Sequence, residues 1–223
     1  MNWKFTLSAA LKFLAGFVLV WLLLFLSAGS FAFWQGWLLM GVLFLPMLCG
    51  GLVLLFRNPA LLAKRLNAKE KQTDQNVVVK LSGLMFVAGF IVSGLGYRLN
   101  WYRLPFWVSV VGAVVLLLAY LMYASVLREN VFLSRTIEVQ DNQHVIDTGL
   151  YSIVRHPMYT STILLFLAMP LVLGSLYAFL IFLFYPLLIV LRIRGEEALL
   201  EEELDGYKEY KQKVKYRLIP WIW

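Results

Sequence analysis

The stretch that decides the fold is MYTSTILLFLAMPLVLGSLYAFLIFLFYPLLIVL, residues 158–191. It runs for 34 residues without a charge. One helix crossing a bilayer needs about 20 apolar residues. The block is therefore long for one span and short for two full spans with a turn. Gly174 and Ser175 lie near its centre and are turn formers. We read two short helices joined there, either stopping before the far face or crossing where the protein is thin. Pro170 and Pro186 can kink them where neighbouring helices re-satisfy the backbone.

Upstream, four longer blocks each suffice for a crossing, at about Phe5–Leu26, Phe31–Phe56, Val77–Tyr97 and Leu104–Leu127. Lys80 falls at the start of the third, where its long stem can snorkel. The composition agrees. The chain is 61% hydrophobic and 15% charged, whereas a soluble domain is nearer half apolar and about a quarter charged. The expected fold is all-α: a polytopic helical membrane protein with four full spans, a short C-terminal hairpin and a cytosolic amphipathic tail helix. Residues 1–127 form the transmembrane N-terminal part and 128–223 the part with room for chemistry. The one cysteine, Cys49, lies in an apolar block and reads as a small buried hydrophobe.

The formal net charge is +7. Its basic residues lie between apolar blocks rather than on a soluble basic face, which argues against nucleic acid and for membrane lipid headgroups. Arg57, Lys64, Arg65, Lys69 and Lys71 fall in one connection. Arg192, Arg194, Lys208, Lys211, Lys213, Lys215 and Arg217 fall in the tail. The positive-inside rule places both termini, those two segments and the Arg128–Arg155 loop in the cytosol. That arrangement requires an even number of crossings, which the hairpin supplies. The spans carry almost no ionisable residues, which weighs against a transporter or channel.

Two polar segments flank the hairpin and emerge on one face. In the first, Gly149-Leu-Tyr-Ser-Ile-Val-Arg-His-Pro-Met-Tyr159, Pro157 suits a first helical turn, with His156 at the cap and Arg155 just outside. Arg and His at a helix N-terminus make an anion-binding corner. In the second, Arg192 and Glu196 are four apart and share a helix face. Glu196 and Glu197 lie nearest the apolar boundary and so need cationic partners. Glu201, Glu202 and Glu203 read as a solvated face. Leu200, Leu204, Tyr207, Tyr210 and Val214 form a rough helical stripe that Gly206 is placed to break.

Taken together, Gly149-x-Tyr151, Arg155-His156-Pro157-x-Tyr159, the hairpin, Arg192, Glu196-Glu197, Leu200, Tyr207, Tyr210 and Arg217-Leu-Ile-Pro220 resemble the isoprenylcysteine carboxyl methyltransferases. The same pattern recurs in the related phospholipid N-methyltransferases. The resemblance covers about Asn130 to Pro220. It implies S-adenosylmethionine as methyl donor, bound at the cytosolic membrane face, and a lipophilic or prenylated substrate entering sideways from the bilayer. It implies that His144, Gly149 and Tyr151 line the cofactor and that Arg155, His156 and Tyr159 hold its amino-acid and ribose portion. Glu196, Glu197 and Tyr210 complete the pocket. The catalytic assignments are Arg155, Glu197 and Arg192, with no metal. Residues 1–127 then serve as anchor and substrate-access region, and 128–223 as the methyltransferase core. Where family members often carry Gly-Pro-Tyr this chain has Gly149-Leu150-Tyr151, and Thr160 and Ser161 stand where Gly is common; both changes bear on substrate preference. Aminolipid N-methylation is the alternative activity, and membrane transport or assembly the non-enzymatic one. No Gly-rich turn between a strand and a helix supports a soluble Rossmann methyltransferase.

Overall fold

The computed structural model describes residues 3–67, 73–101, 103–134 and 136–223. Lys69 and Lys71, used above for the topology, lie outside the described residues. The chain folds into α1 (Trp3–Ala28), α2 (Trp34–Arg57), α3 (Pro59–Leu66), α4 (Thr73–Arg98) and α5 (Phe106–Glu129). After a long irregular segment come α6 (Pro157–Val172), α7 (Leu176–Phe182), α8 (Tyr185–Glu203) and α9 (Tyr207–Lys213). No strand occurs among the described residues; Arg103 and Ser175 form an isolated bridge.

Five segments are long and apolar enough to cross a membrane: α1, α2, Gln75–Arg98, α5 and Leu176–Glu203. The protein is therefore a multi-pass membrane protein. Large apolar side chains such as Leu14, Leu45, Leu84 and Leu118 are exposed along these helices. Lipid can cover such a surface, and the backbone within each helix is satisfied internally.

The hairpin differs from the sequence reading in one respect. Its second arm is not short: α7 and α8 together make a 28-residue apolar segment that continues as helix past Leu191 to Glu203. The arm is interrupted at Leu183 and Phe184, just before Pro186. Pro186 occupies the first turn of α8, where a missing N–H costs nothing. The first arm, α6, has 16 residues, or about 24 Å of helix. It still reaches the opposite end of the bundle. The Gly174 carbonyl accepts the Leu104 N–H at 2.9 Å, so the tip sits against the α4–α5 turn. Gly174 takes a φ of +63°, which lets the chain reverse there.

The tail also departs from a single amphipathic helix. It breaks at Gly206, whose φ of +81° starts α9. The stripe nevertheless packs as expected, with Leu204, Tyr207, Tyr210 and Val214 in one buried cluster together with Val139 and Val145.

α5 and α6 pack closely because Gly112 faces the end of α6. A Cβ at Gly112 would lie 2.8 Å from the Val172 nitrogen. Short α3 was not anticipated. Asn58 caps it by accepting the Leu61 N–H at 3.1 Å, and Pro59 opens its first turn. Its Leu61 packs with Val126, Leu133 and Tyr151 at the end of the bundle that carries the polar segments.

Candidate functional site

The site grows from the phase of α8. Successive residues of a helix point about 100° apart, so positions four apart share a face. Ile189, Ile193 and Glu197 make one column, and all three are buried. Arg192 and Glu196 make the neighbouring column, which faces a cavity. The adjacent Glu196 and Glu197 therefore do different work.

Glu197 is 3% exposed and sits behind the cavity wall. Its Oε1 accepts from the Arg155 Nε at 2.8 Å and lies 3.2 Å from the His156 Nε2. With a carboxylate as acceptor, that ring nitrogen must carry the proton. The Oε2 accepts from the Arg217 Nε at 2.9 Å. Arg155 is 6% exposed and also donates through Nη1 to the carbonyls of Val214 and Lys215, at 2.7 and 2.9 Å. Backbone bonds complete the knot: the Arg155 and His156 amides donate to the carbonyls of Tyr216 and Arg217, both at 2.9 Å. The Arg-His-Pro turn, α8 and the tail are thus tied at one carboxylate. Two guanidinium groups surround it, so the knot keeps a net positive charge, and Arg155 presents it at the cavity.

The cavity measures about 100 Å³ and opens to solvent. Of the residues singled out from the sequence, His144, Tyr151, Arg155, His156, Tyr159, Arg192, Glu196 and Tyr210 are on its wall; Gly149 and Glu197 are not. Gly149 shapes the turn leading to Tyr151, with a φ of +53°, and a Cβ there would press on Glu129 at 2.9 Å. Tyr159, one turn into α6, donates to Glu196 and receives the Arg192 Nε at 3.1 Å. The Tyr210 hydroxyl donates to the Tyr151 carbonyl at 2.7 Å. The His144 ring packs on Phe132 at 5.1 Å. Lys213 pairs with Asp147 at 2.8 Å, fastening α9 to the segment before Gly149 and holding the Asp147 carboxyl below its usual range.

Sequence reasoning left out most of the far wall. Residues 130–134 and 136–146 form it without helix or strand. Ser134 and Thr136 hydroxyls approach Glu138 Oε1 at 3.4 and 3.1 Å, which adds a second acidic group beside Glu196. No periodic signal marks such a segment, so only its polar residues between two spans pointed to it. Tyr207, part of the stripe read from the sequence, also reaches the cavity. It is 4% exposed, lines the cavity, and its hydroxyl is buried without a hydrogen-bond partner among the described residues. Burial, with the Glu197 and Glu196 carboxylates nearby, raises its pKa, so the hydroxyl stays protonated and available as a donor.

Removing Arg155 should destabilise the knot more than removing Arg217. Arg155 is the more buried, whereas Arg217 is 29% exposed at its side chain. Leaving a buried charge unpaired costs roughly 3–5 kcal/mol. Because Arg217 and His156 remain, Arg155→Ala should cost about 2–3 kcal/mol, near the upper range for a charged hydrogen bond. Unfolding of both variants in detergent checks this. Equal losses for Arg155→Ala and Arg217→Ala would contradict it.

Residues 109–202 match the model of the isoprenylcysteine carboxyl methyltransferase (ICMT) family. The match opens at Ser109 in the first turn of α5 and closes at Glu202 in the last turn of α8. It contains the Arg-His-Pro turn and both glutamates, and leaves Tyr207, Tyr210 and Arg217 beyond it. No individual curated protein is significantly similar to the chain. Over residues 109–202, somewhat under half of its length, the chain is similar to the ICMT family.

Proposed function

We propose that this protein is an integral-membrane methyltransferase that uses S-adenosylmethionine and acts on a lipophilic acceptor, most like a prenylated cysteine carboxylate. The observation that carries the reading is the cavity between the Arg-His-Pro turn and α8. It is cationic at Arg155, acidic at Glu196 and Glu138, and has the unpartnered donor of Tyr207 on its wall. The donor molecule is charged in the complementary way. Its carboxylate suits the positive knot and the N-terminus of α6, and its ammonium and ribose hydroxyls suit the two carboxylates. The orphaned Tyr207 hydroxyl needs an acceptor that no neighbouring group supplies.

The bound donor supplies a methyl group on an electrophilic sulfonium. The protein's part is to place and orient. Arg155 is held by Glu197 and two carbonyls, so it presents charge from a fixed position rather than as a swinging arm. In this reading Glu197 and Arg192 are positioning residues, acting through Arg155 and Tyr159. Tyr207 donates to the donor's polar atoms, and the irregular segment excludes water. Positioning of this kind can be worth several kcal/mol. A carboxylate acceptor is already ionised at neutral pH and needs no base. The basic residues at this end of the bundle support a cytosolic site with cytosolic termini.

A second reading, aminolipid N-methylation, draws support from Glu196. It lines the cavity, where a carboxylate can take the proton an amine must lose.

Three measurements bear on this. Titration calorimetry in detergent should show S-adenosylmethionine binding, and Tyr207→Phe should weaken it about three- to tenfold, the loss of one hydrogen bond of about 0.5–1.5 kcal/mol. No binding by the wild type would end the methyltransferase reading. Methyl transfer by Glu196→Gln at saturating donor should be nearly pH-independent. A rate lost near neutral pH and regained at higher pH would indicate a missing base and favour the aminolipid. Finally, Lys213→Cys in a Cys49→Ser background should be labelled only once the membrane is permeabilised. Labelling from outside intact cells would reverse the topology.

A further inference from the structure

Residues 130–134 and 136–146 form much of the cavity wall, yet they contain no helix or strand to hold its shape. Three of their amides are satisfied by local side chains. The Phe132 amide donates to Asn130 Oδ1 at 2.9 Å, Thr136 to Ser134 Oγ at 3.2 Å, and Gln140 to Gln143 Oε1 at 2.9 Å. Such bonds are formed within the segment and do not fix it to the bundle. On the α9 side, Val139 and Val145 dock on the tail cluster. On the membrane side Leu133 packs with Val126 and Tyr151, Asn130 donates to the Tyr151 hydroxyl at 3.1 Å, and α3 adds charged contacts.

There Arg65 reaches three partners at once. Its Nη1 donates to the Ser134 carbonyl at 3.0 Å and lies 3.6 Å from the Met158 sulfur. Its Nη2 donates to the Tyr123 hydroxyl, and the guanidinium carbon lies 5.4 Å from the Tyr123 ring centre. Ser134 and Met158 are both on the cavity wall, whereas Arg65 stands directly behind them. Lys64 adds a bond to Gln140 Oε1 and sits 5.9 Å from the Phe132 ring centre. Gln140 in turn donates to the Phe132 carbonyl. A planar guanidinium with several fixed donors can bridge a helix, a carbonyl and a hydroxyl in one geometry, which an ammonium cannot do.

We propose that α3 is the clamp of the cavity, with Arg65 as its positioning residue. Arg65 holds Ser134 against α5 and α6, and the adjacent Lys64 holds Gln140, in the conformation that closes the site. This rests on the methyltransferase reading for what the site binds, but not for the clamp itself. It places a residue of the N-terminal part, outside the family match, in control of the wall nearest the membrane helices. Phe132, Leu133 and Met158 give that wall its apolar surface, which suits the hydrocarbon of a lipophilic acceptor.

The test compares full-length wild type, Arg65→Ala and Arg65→Lys in lipid nanodiscs by amide hydrogen exchange, with and without S-adenosylmethionine, alongside its affinity. Arg65→Ala should speed exchange of residues 131–134 and 136–140 about tenfold, leaving α1, α4, α6 and α8 unchanged. It should also weaken S-adenosylmethionine about tenfold, and Arg65→Lys should recover part of both losses. If Arg65→Ala does not fold, Tyr123→Phe removes a single partner of the guanidinium and should loosen the same segment about threefold. Unchanged exchange in the segment overturns the clamp. A loosened segment with unchanged affinity overturns its role in the site. A wild type that fails to bind S-adenosylmethionine removes the methyltransferase reading, while the exchange comparison still decides the clamp.

Discussion

A carboxylate buried where a helix leaves the membrane is costly unless cations and donors surround it. Glu197 has Arg155, Arg217 and His156 around its two oxygens. The four residues come from three pieces of chain. Arg155 and His156 precede α6, Arg217 lies in the tail, and Glu197 belongs to α8. Two arms of the hairpin and the last segment of the chain therefore meet at one point. The backbone bonds from residues 155 and 156 to 216 and 217 repeat the same connection without side chains. Losing this point would free the ends of α6 and α8 together, and with them both sides of the cavity.

The knot also sets the electrostatics. Glu197 cancels one of the two guanidinium charges, and the remainder is presented through Arg155. On the neighbouring face of α8, Glu196 is turned to the cavity and bridged by Tyr159 to Arg192. A zwitterionic ligand would meet opposite charges at separate places on one wall. This separation follows from the 100° step of a helix acting on two consecutive glutamates.

That step explains what was legible in the sequence and what was not. The absence of charge over residues 158–191 and the Gly174-Ser175 pair were enough to place the hairpin and its turn. The grouping of Arg155, His156, Tyr159, Arg192 and Glu196 followed from a short helical cap and an i, i+4 spacing. The distinction between Glu196 and Glu197 did not, because it depends on which face of α8 meets the bundle. The length of the second arm was misjudged because hydropathy ends at Leu191 while the helix continues to Glu203. Glu138 lies in a segment with no period to read, and Arg65 acts across 69 residues of sequence on Ser134. Asn58-Pro59 did announce a helix start, and α3 was there to be found.

The remaining question is where such a molecule can be rigid and where it must yield. The hairpin is fixed at both ends. Its tip is bonded to Leu104, and Gly112 brings α6 hard against α5. Its polar ends are tied through Glu197. A wall built on α6 and α8 therefore holds its charged groups in constant positions, as a reaction governed by alignment requires. Residues 130–134 and 136–146 are held differently, because several of their amides bond local side chains rather than a helix or a sheet, and a few replaceable contacts determine how tightly this wall closes. The fold thus divides the cavity between a wall fixed by the membrane helices and one whose stiffness is set locally, with Arg65 at the boundary between them.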